Sequence, residues 1–167
     1  MSRGWIPGVL LILLGVFGLW LFSMPRGPVG WMGGAPWKGG FSSNGERIYY
    51  TGVSERTRRI PFEGGPMWLW MHGGGCASCH GPDGKGGIPV MGGTKVPSDI
   101  RYSALTEEGE HKHEGKEEHS PYTDALIGRA VTQGFNPAGK PLDWTMPRWQ
   151  MTKPDLEDLV SYLKTLR

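Results

Sequence analysis

The clearest pattern of apolar and polar positions lies at the end of the chain. Leu156, Leu159, Val160, Leu163 and Leu166 recur at steps of three and four, flanked by Tyr162. That spacing is the stripe of an amphipathic helix. It predicts a last helix beginning near Thr152, with Asp155 in its first turn. A second helix is expected before it, with Ser120 as N-cap and Pro121 at the first helical position. Ala125, Leu126, Ala130 and Val131 supply its apolar positions, and Gly134 closes it. A third, short helix is expected over Asn44 to Tyr50. Ser43 or Asn44 can cap it, and Ile48 with Tyr49 would face a core.

The segments between these helices carry no period. Residues 51–75 read as loop, punctuated by Gly52, Pro61, Gly64, Gly65 and Pro66, with a short turn of helix at Met67 to Met71 that Pro66 would open. Residues 81–100 are rich in glycine and proline and predict no continuous helix. Residues 106–119, TEEGEHKHEGKEEH, form a charged insertion of low complexity, expected to be mobile. No strand alternation of useful length occurs, and no repeat. The expected class is all-α.

The N-terminal pattern is different. From Trp5 to Phe22 no residue is charged, and as a helix the run would span about 27 Å, close to a bilayer's hydrocarbon thickness. A cleaved signal peptide would end in small residues of A-x-A type. This run ends Leu19-Trp20-Leu21-Phe22, and Trp5 and Trp20 sit where interfacial anchors lie. The pattern favours an uncleaved signal anchor over residues 1–23. Arg3 and the free amino terminus favour a cytoplasmic N-terminus. Residues 24–43, dominated by glycine, proline and tryptophan, then read as a tether, and residues 44–167 as one domain.

Composition narrows the function. The net charge of +2 on 167 residues is too small to argue for nucleic acid. Charge is unevenly placed: Arg56, Arg58 and Arg59 form a basic cluster, and Glu107, Glu108, Glu110, Glu114, Glu117 and Glu118 an acidic one. Such polarity can orient a charged redox partner, or can be two solvated loops.

The chemistry is concentrated in Cys76-Ala77-Ser78-Cys79-His80. C-x-x-C-H is the covalent attachment site of a c-type haem. Two thiols three positions apart add to the two vinyl groups on one porphyrin edge, and the next imidazole lies under the iron. These are the only cysteines. A zinc site would need further ligands from elsewhere. A thioredoxin-like pair would not require His80 and would accompany a βαβ pattern. A structural disulfide is the plain alternative. Gly73-Gly74-Gly75 just before the motif either let the backbone approach a flat cofactor or form a flexible loop.

With these features the chain resembles the class I cytochrome c family over residues 44–167. The resemblance rests on the short helix with Ile48-Tyr49, the CASCHG site, a late Met-Pro pair and the terminal helix ending YLKTL. It implies an all-α fold around one covalent haem c. It implies that first and last helices cross near Gly45, Tyr49 and Tyr162, and that a methionine from the loop before the last helix binds the iron opposite His80. Met146, in Trp144-Thr145-Met146-Pro147, is that candidate. Thioether sulfur is a soft donor that favours reduced iron. Pro147 fixes its own φ and holds Met146 extended. Met151 and Met91 rank behind it, and Met146 as core filler is the plain alternative. His72 is too close to Cys76 in sequence to reach the opposite haem face. His111, His113 and His119 read as a solvated polar loop rather than a Zn²⁺ or Cu²⁺ site. Trp68, Trp70, Trp144 and Trp149 flank the two ligand segments and can wall a porphyrin. Arg129, Arg148 or a tryptophan N–H can bond its propionates. A long segment between the first helix and the motif, and the acidic insertion, depart from compact members of the family.

Iron held on both faces has no open site, so no catalytic side chain and no small-molecule substrate are expected. The leading expectation is a membrane-anchored carrier of single electrons between partners of a respiratory chain, with its haem domain on the extracytoplasmic, periplasmic face of a bacterial cytoplasmic membrane. A fixed subunit of a larger oxidoreductase is the alternative. A haem sensor or enzyme with an open sixth position is the third.

Overall fold

The structure is a computed structural model that describes residues 40–107 and 119–167. The expected anchor, most of the tether, and residues 108–118 of the acidic insertion, with His111 and His113, lie outside the described residues. Among the described residues, no helix is long and apolar enough to cross a membrane. In chain order the elements are α1 (Asn44–Thr51), β1 (Val53–Ser54), β2 (Arg58–Arg59), β3 (Phe62–Glu63), α2 (Met67–His72), α3 (Ala77–His80), a 3₁₀ turn (Met91–Gly93), α4 (Tyr102–Thr106), α5 (Asp124–Gln133), β4 (Arg148–Trp149) and α6 (Lys153–Leu163).

The first and last helices form the centre. Ser43 caps α1 by accepting from Glu46 N–H, and Gly52 at φ 65° closes it. Thr152 caps α6 by accepting from Asp155 N–H. Where the two helices cross, Gly45 leaves no space for a side chain. A Cβ there would run into the Asp158 carbonyl and lie 2.9 Å from Tyr162 Cβ. Tyr49 and Tyr162 pack against each other across the crossing, rings tilted by 50° with centroids 5.2 Å apart. Ile48, Tyr49, Leu159, Val160 and Leu163 are buried there, each large aliphatic contributing about 1.5–3 kcal/mol. Helix α5 adds Ile127 and Val131 to the same core.

Helix α5 starts later than the sequence predicts. Its N-cap is Thr123, whose side chain accepts from Leu126 N–H, and not Ser120. The reason is tertiary: Tyr122 N–H is committed to the Leu105 carbonyl of α4 at 2.9 Å. Pro66 likewise caps α2 rather than opening it.

The segment read as plain loop contains strands. β1 pairs antiparallel with β2, Val53 opposite Arg59. β3 pairs antiparallel with β4, Phe62 opposite Trp149 and Glu63 opposite Arg148. Each strand is two residues long, below the length at which alternation is visible. The second ladder brings the long segment after α1 against the residues that follow Met146.

The three arginines of the basic cluster lie at the surface, but two of them are tied to groups within the chain. Arg56 bonds Asp155 at 2.9 Å and Asp158 at 2.6 Å. Arg59 donates to the Leu69 and Trp70 carbonyls at 2.8 and 3.2 Å. Arg58, exposed like the other two, sits in the left-handed region at φ 58°.

Candidate haem site

The Cys-x-x-Cys-His motif is a single helical turn fastened to α1 at both ends. Before it, Gly75 packs so tightly on the end of α1 that a Cβ would meet the Tyr49 and Ile48 carbonyls. After it, Tyr49 hydroxyl donates to the Gly81 carbonyl at 2.6 Å and Tyr50 hydroxyl to Pro82 at 2.9 Å. The close approach that Gly75 permits is therefore to helix α1. Inside the turn, Cys79 and His80 N–H groups donate to the Cys76 carbonyl at 3.1 and 2.9 Å. Positions three and four apart share one helical face, so both sulfurs and the imidazole emerge on the same side.

Cys76 and Cys79 stand as thiols, not as a disulfide. Burial pushes the Cys76 thiol up to about 12 and raises Cys79 as well. A site that keeps sulfur uncharged suits thioethers, which carry no charge. Burial also lowers the pKa of His80, outweighing the opposing pull of its bond to Ser98 and of Asp99. Its Nδ1 lies 2.8 Å from the Ser98 carbonyl. A carbonyl only accepts, so Nδ1 carries the proton and Nε2 keeps its lone pair for a metal.

Met146 is half-buried and packs against the core. Its loop is held from several directions. Met146 N–H donates to the Asp143 carbonyl at 3.1 Å. Asp143 Oδ1 accepts from Thr145 N–H and Oγ1–H at 2.9 and 2.8 Å. Lys95 Nζ sits 2.6 Å from Asp143 Oδ2. Hydrogen bonds from Lys95 and Thr145 hold the Asp143 carboxyl down to about 2 against the opposing effect of burial. The Arg148 guanidinium donates to the carbonyls of Leu142 at 2.9 Å and Asp143 at 3.2 Å, and to that of Met146. Gly65 N–H donates to the Trp144 carbonyl at 3.0 Å, and Gln150 N–H to Pro61 at 2.8 Å.

Several sequence readings change here. Arg148, a candidate donor to propionates, is spent on three carbonyls of the Met146 loop. Arg129 donates to the Asn136 and Pro137 carbonyls at 2.5 and 3.1 Å, yet its buried Nε has no hydrogen-bond partner. Trp149 and Trp70 pack on Phe62 with centroids 4.9 and 4.5 Å away. Trp144 is exposed, and so are Ile88 and Val96. Met151 packs on the core beside the α6 cap, and Met91 occupies a turn at φ 53°. His72 is exposed at the end of α2, and His119 lies against Ser120 and Tyr122. Among the described residues, no group of three or more His, Cys, Asp or Glu is arranged to hold a metal ion. The Ser98 contact and the Lys95–Asp143 pair escaped the sequence because nothing local marks them; the Asp143 turn was also missed, although Asp-x-Thr is a local signal that could have found it.

A helix pair crossing over a Cys-x-x-Cys-His turn, with a braced methionine loop leading into the last helix, defines a haem-bearing electron-transfer domain. The Cytochrome c family model matches residues 71–167, and the chain belongs to that family. Neither a curated protein nor a solved structure matched the chain. The family match begins within α2, so α1 and the strands of residues 53–63 precede it. The residues present fit covalent haem c: two neutral thiols, an oriented imidazole, a thioether on a separate braced loop, and a buried guanidinium Nε that lacks an acceptor.

Proposed function

We propose that the chain is a membrane-anchored, single-haem carrier of electrons between respiratory partners. Cys76 and Cys79 would hold haem c through thioether bonds, and His80 and Met146 would supply the protein ligands to its iron. When bound, the haem supplies a one-electron couple between ferric and ferrous iron. The observation that carries the reading is the bond from His80 to Ser98, which fixes the imidazole tautomer and leaves Nε2 as donor. Met146 sulfur favours the reduced state and raises the potential. Arg129 Nε would donate to a propionate oxygen. The apolar core that Ala77 of α3 joins would help to keep water from the ring. With His80 and Met146 both committed to the iron, no site would remain for a substrate.

Residues 1–23 would anchor the chain, leaving residues 44–167 on the periplasmic face of a bacterial cytoplasmic membrane. The tether of residues 24–43 would hold the domain at high effective concentration near membrane partners. The test is spectroscopic and cellular. The full chain should sediment with membranes, need detergent for release, and carry covalent haem whose ferric form shows sulfur–iron ligation. Colourless protein, or haem without sulfur ligation, sinks the site assignment; a chain free in the periplasm sinks the anchor.

A second reading keeps the chemistry and fixes the domain as a subunit of a larger oxidoreductase. It is supported by Met67, Trp70 and Met71, which are exposed at 72%, 49% and 70% and share one face of α2 through their spacing. Exposed apolar side chains on one face suit a permanent contact better than a diffusing carrier. Co-purification of partner subunits after mild detergent extraction would favour it, and a chain that purifies alone would remove it.

A further inference from the structure

Residues 81–100 leave the haem motif and return to it. At the base, His80 donates Nδ1–H to Ser98 at 2.8 Å, and its carbonyl accepts from Gly86 N–H at 2.9 Å. One step out, Gly87 N–H donates to the Pro97 carbonyl at 2.8 Å. Further out, Val90 and Lys95 bond each other at 2.7 and 3.3 Å. The tip is the turn Met91–Gly93, whose three residues all have positive φ. Two antiparallel arms closed by paired bonds make this a ribbon with its base on the imidazole.

The far end of the ribbon touches another part of the chain. Lys95 Nζ lies 2.6 Å from Asp143 Oδ2. Asp143 opens the turn that presents Met146: its other carboxylate oxygen caps Thr145, and its carbonyl accepts from Met146 N–H. One carboxylate thus joins the ribbon to the methionine turn. A connected path runs from the His80 imidazole through Ser98, Lys95 and Asp143 to Met146, all of it protein.

We propose that residues 86–98 form a strap that links the two axial-ligand segments, with Lys95 as the positioning residue that holds the Asp143–Met146 turn in place relative to His80. The inference rests on the reading of Met146 as iron ligand. Both charges are partly exposed, 39% and 44%, and such a pair adds little to global stability. Its effect is positional. Thr145 and Arg148 preserve the shape of the methionine turn without Lys95, but they do not connect that turn to the ribbon.

The experiment uses the full haem-loaded chain. Urea titration of the ferric protein follows the absorbance of the sulfur–iron bond beside far-ultraviolet circular dichroism. Lys95→Gln keeps much of the stem, removes the charge and adds no sulfur. It should lose the sulfur–iron signal at lower urea, with roughly two- to fivefold more sulfur-dissociated protein at a fixed concentration, the range of an exposed ion pair. The dichroism midpoint should stay put, and Lys95→Arg should restore the wild-type curve. High salt should move wild type toward Lys95→Gln and leave that variant unmoved. A Lys95→Gln protein with the wild-type sulfur–iron midpoint overturns the strap. So does a shift of both midpoints together, which would make Lys95 a general stabiliser. A wild-type protein with no sulfur–iron signal overturns the ligand assignment and the strap together; the other two outcomes overturn the strap alone.

Discussion

Phe62 and Trp149 face each other across a two-residue antiparallel ladder, with ring centroids 4.9 Å apart. Both are buried. Trp149 follows Met146 by three residues, so this pair braces the methionine loop with the long segment between α1 and the haem motif. Truncating Phe62→Ala should cost about 3–5 kcal/mol, the range for a buried phenylalanine. It should also weaken sulfur–iron ligation, because Gly65 and Pro61 bond the same loop. Urea unfolding of the haem-loaded protein measures the first effect and the ferric spectrum the second. A Phe62→Ala protein with wild-type stability would mean that the segment is not a brace.

A second long-range contact predicts acid sensitivity. The Asp155 side chain is fully buried and accepts from Ser54 at 2.6 Å, Thr152 at 2.7 Å, Arg56 at 2.9 Å and Asn44 at 3.2 Å. Burial pushes its pKa up, but the four donors together outweigh it, and the net shift is down. Asp158 shifts down too, through Asn44 and Arg56. A depressed folded pKa stabilises the fold at pH values above the unfolded value near 4. That stability should fall away as pH drops from about 4 through the folded value. Asp155→Asn should cost roughly 2–4 kcal/mol at pH 7 and flatten the acid limb of the unfolding midpoint against pH. An unchanged acid limb in the variant would place the sensitivity elsewhere.

The crossing of α1 and α6 admits no side chain at Gly45. A methyl group there must push the Asp158 backbone away, so Gly45→Ala should destabilise by about 1–3 kcal/mol or more despite alanine's better helix propensity. Thermal unfolding measures the loss. Stability equal to wild type would show that the helices have room to separate.

Met146 tests the site most directly. Met146→Ala should leave haem covalently attached and the helical dichroism intact. The sixth iron position would open, so carbon monoxide should bind the ferrous variant readily and wild type poorly. The reduction potential should fall, because a soft donor favouring ferrous iron is gone. If wild type and variant share one potential and one spectrum, Met146 is core packing and another ligand must be sought, beginning with Met151.

Much of the core and the haem motif was legible from the chain alone. The stripe from Leu156 to Leu163 marks α6 because helical periodicity is a local property. Ser43, Thr152 and Gly134 fall at the predicted helix ends because capping depends on only a few neighbouring residues. Cys76, Cys79 and His80 were legible because thioether chemistry fixes their spacing. Gly45, Tyr49 and Tyr162 at the helix crossing came from the family resemblance, and the structure places them there.

What the sequence did not reveal depends on partners far along the chain. Ser120 and Thr123 are both competent caps, and serine the better by type; the Leu105 carbonyl, by taking Tyr122 N–H, decides for Thr123. Arg148 looks like any surface cation until the Leu142, Asp143 and Met146 carbonyls converge on it. The strands β3 and β4 are too short for a pattern and exist because each finds the other. Local chemistry therefore determined the helices and the residues able to hold a haem. Only three-dimensional packing decided how the loops between them are tied down, because those ties join groups that no spacing rule connects.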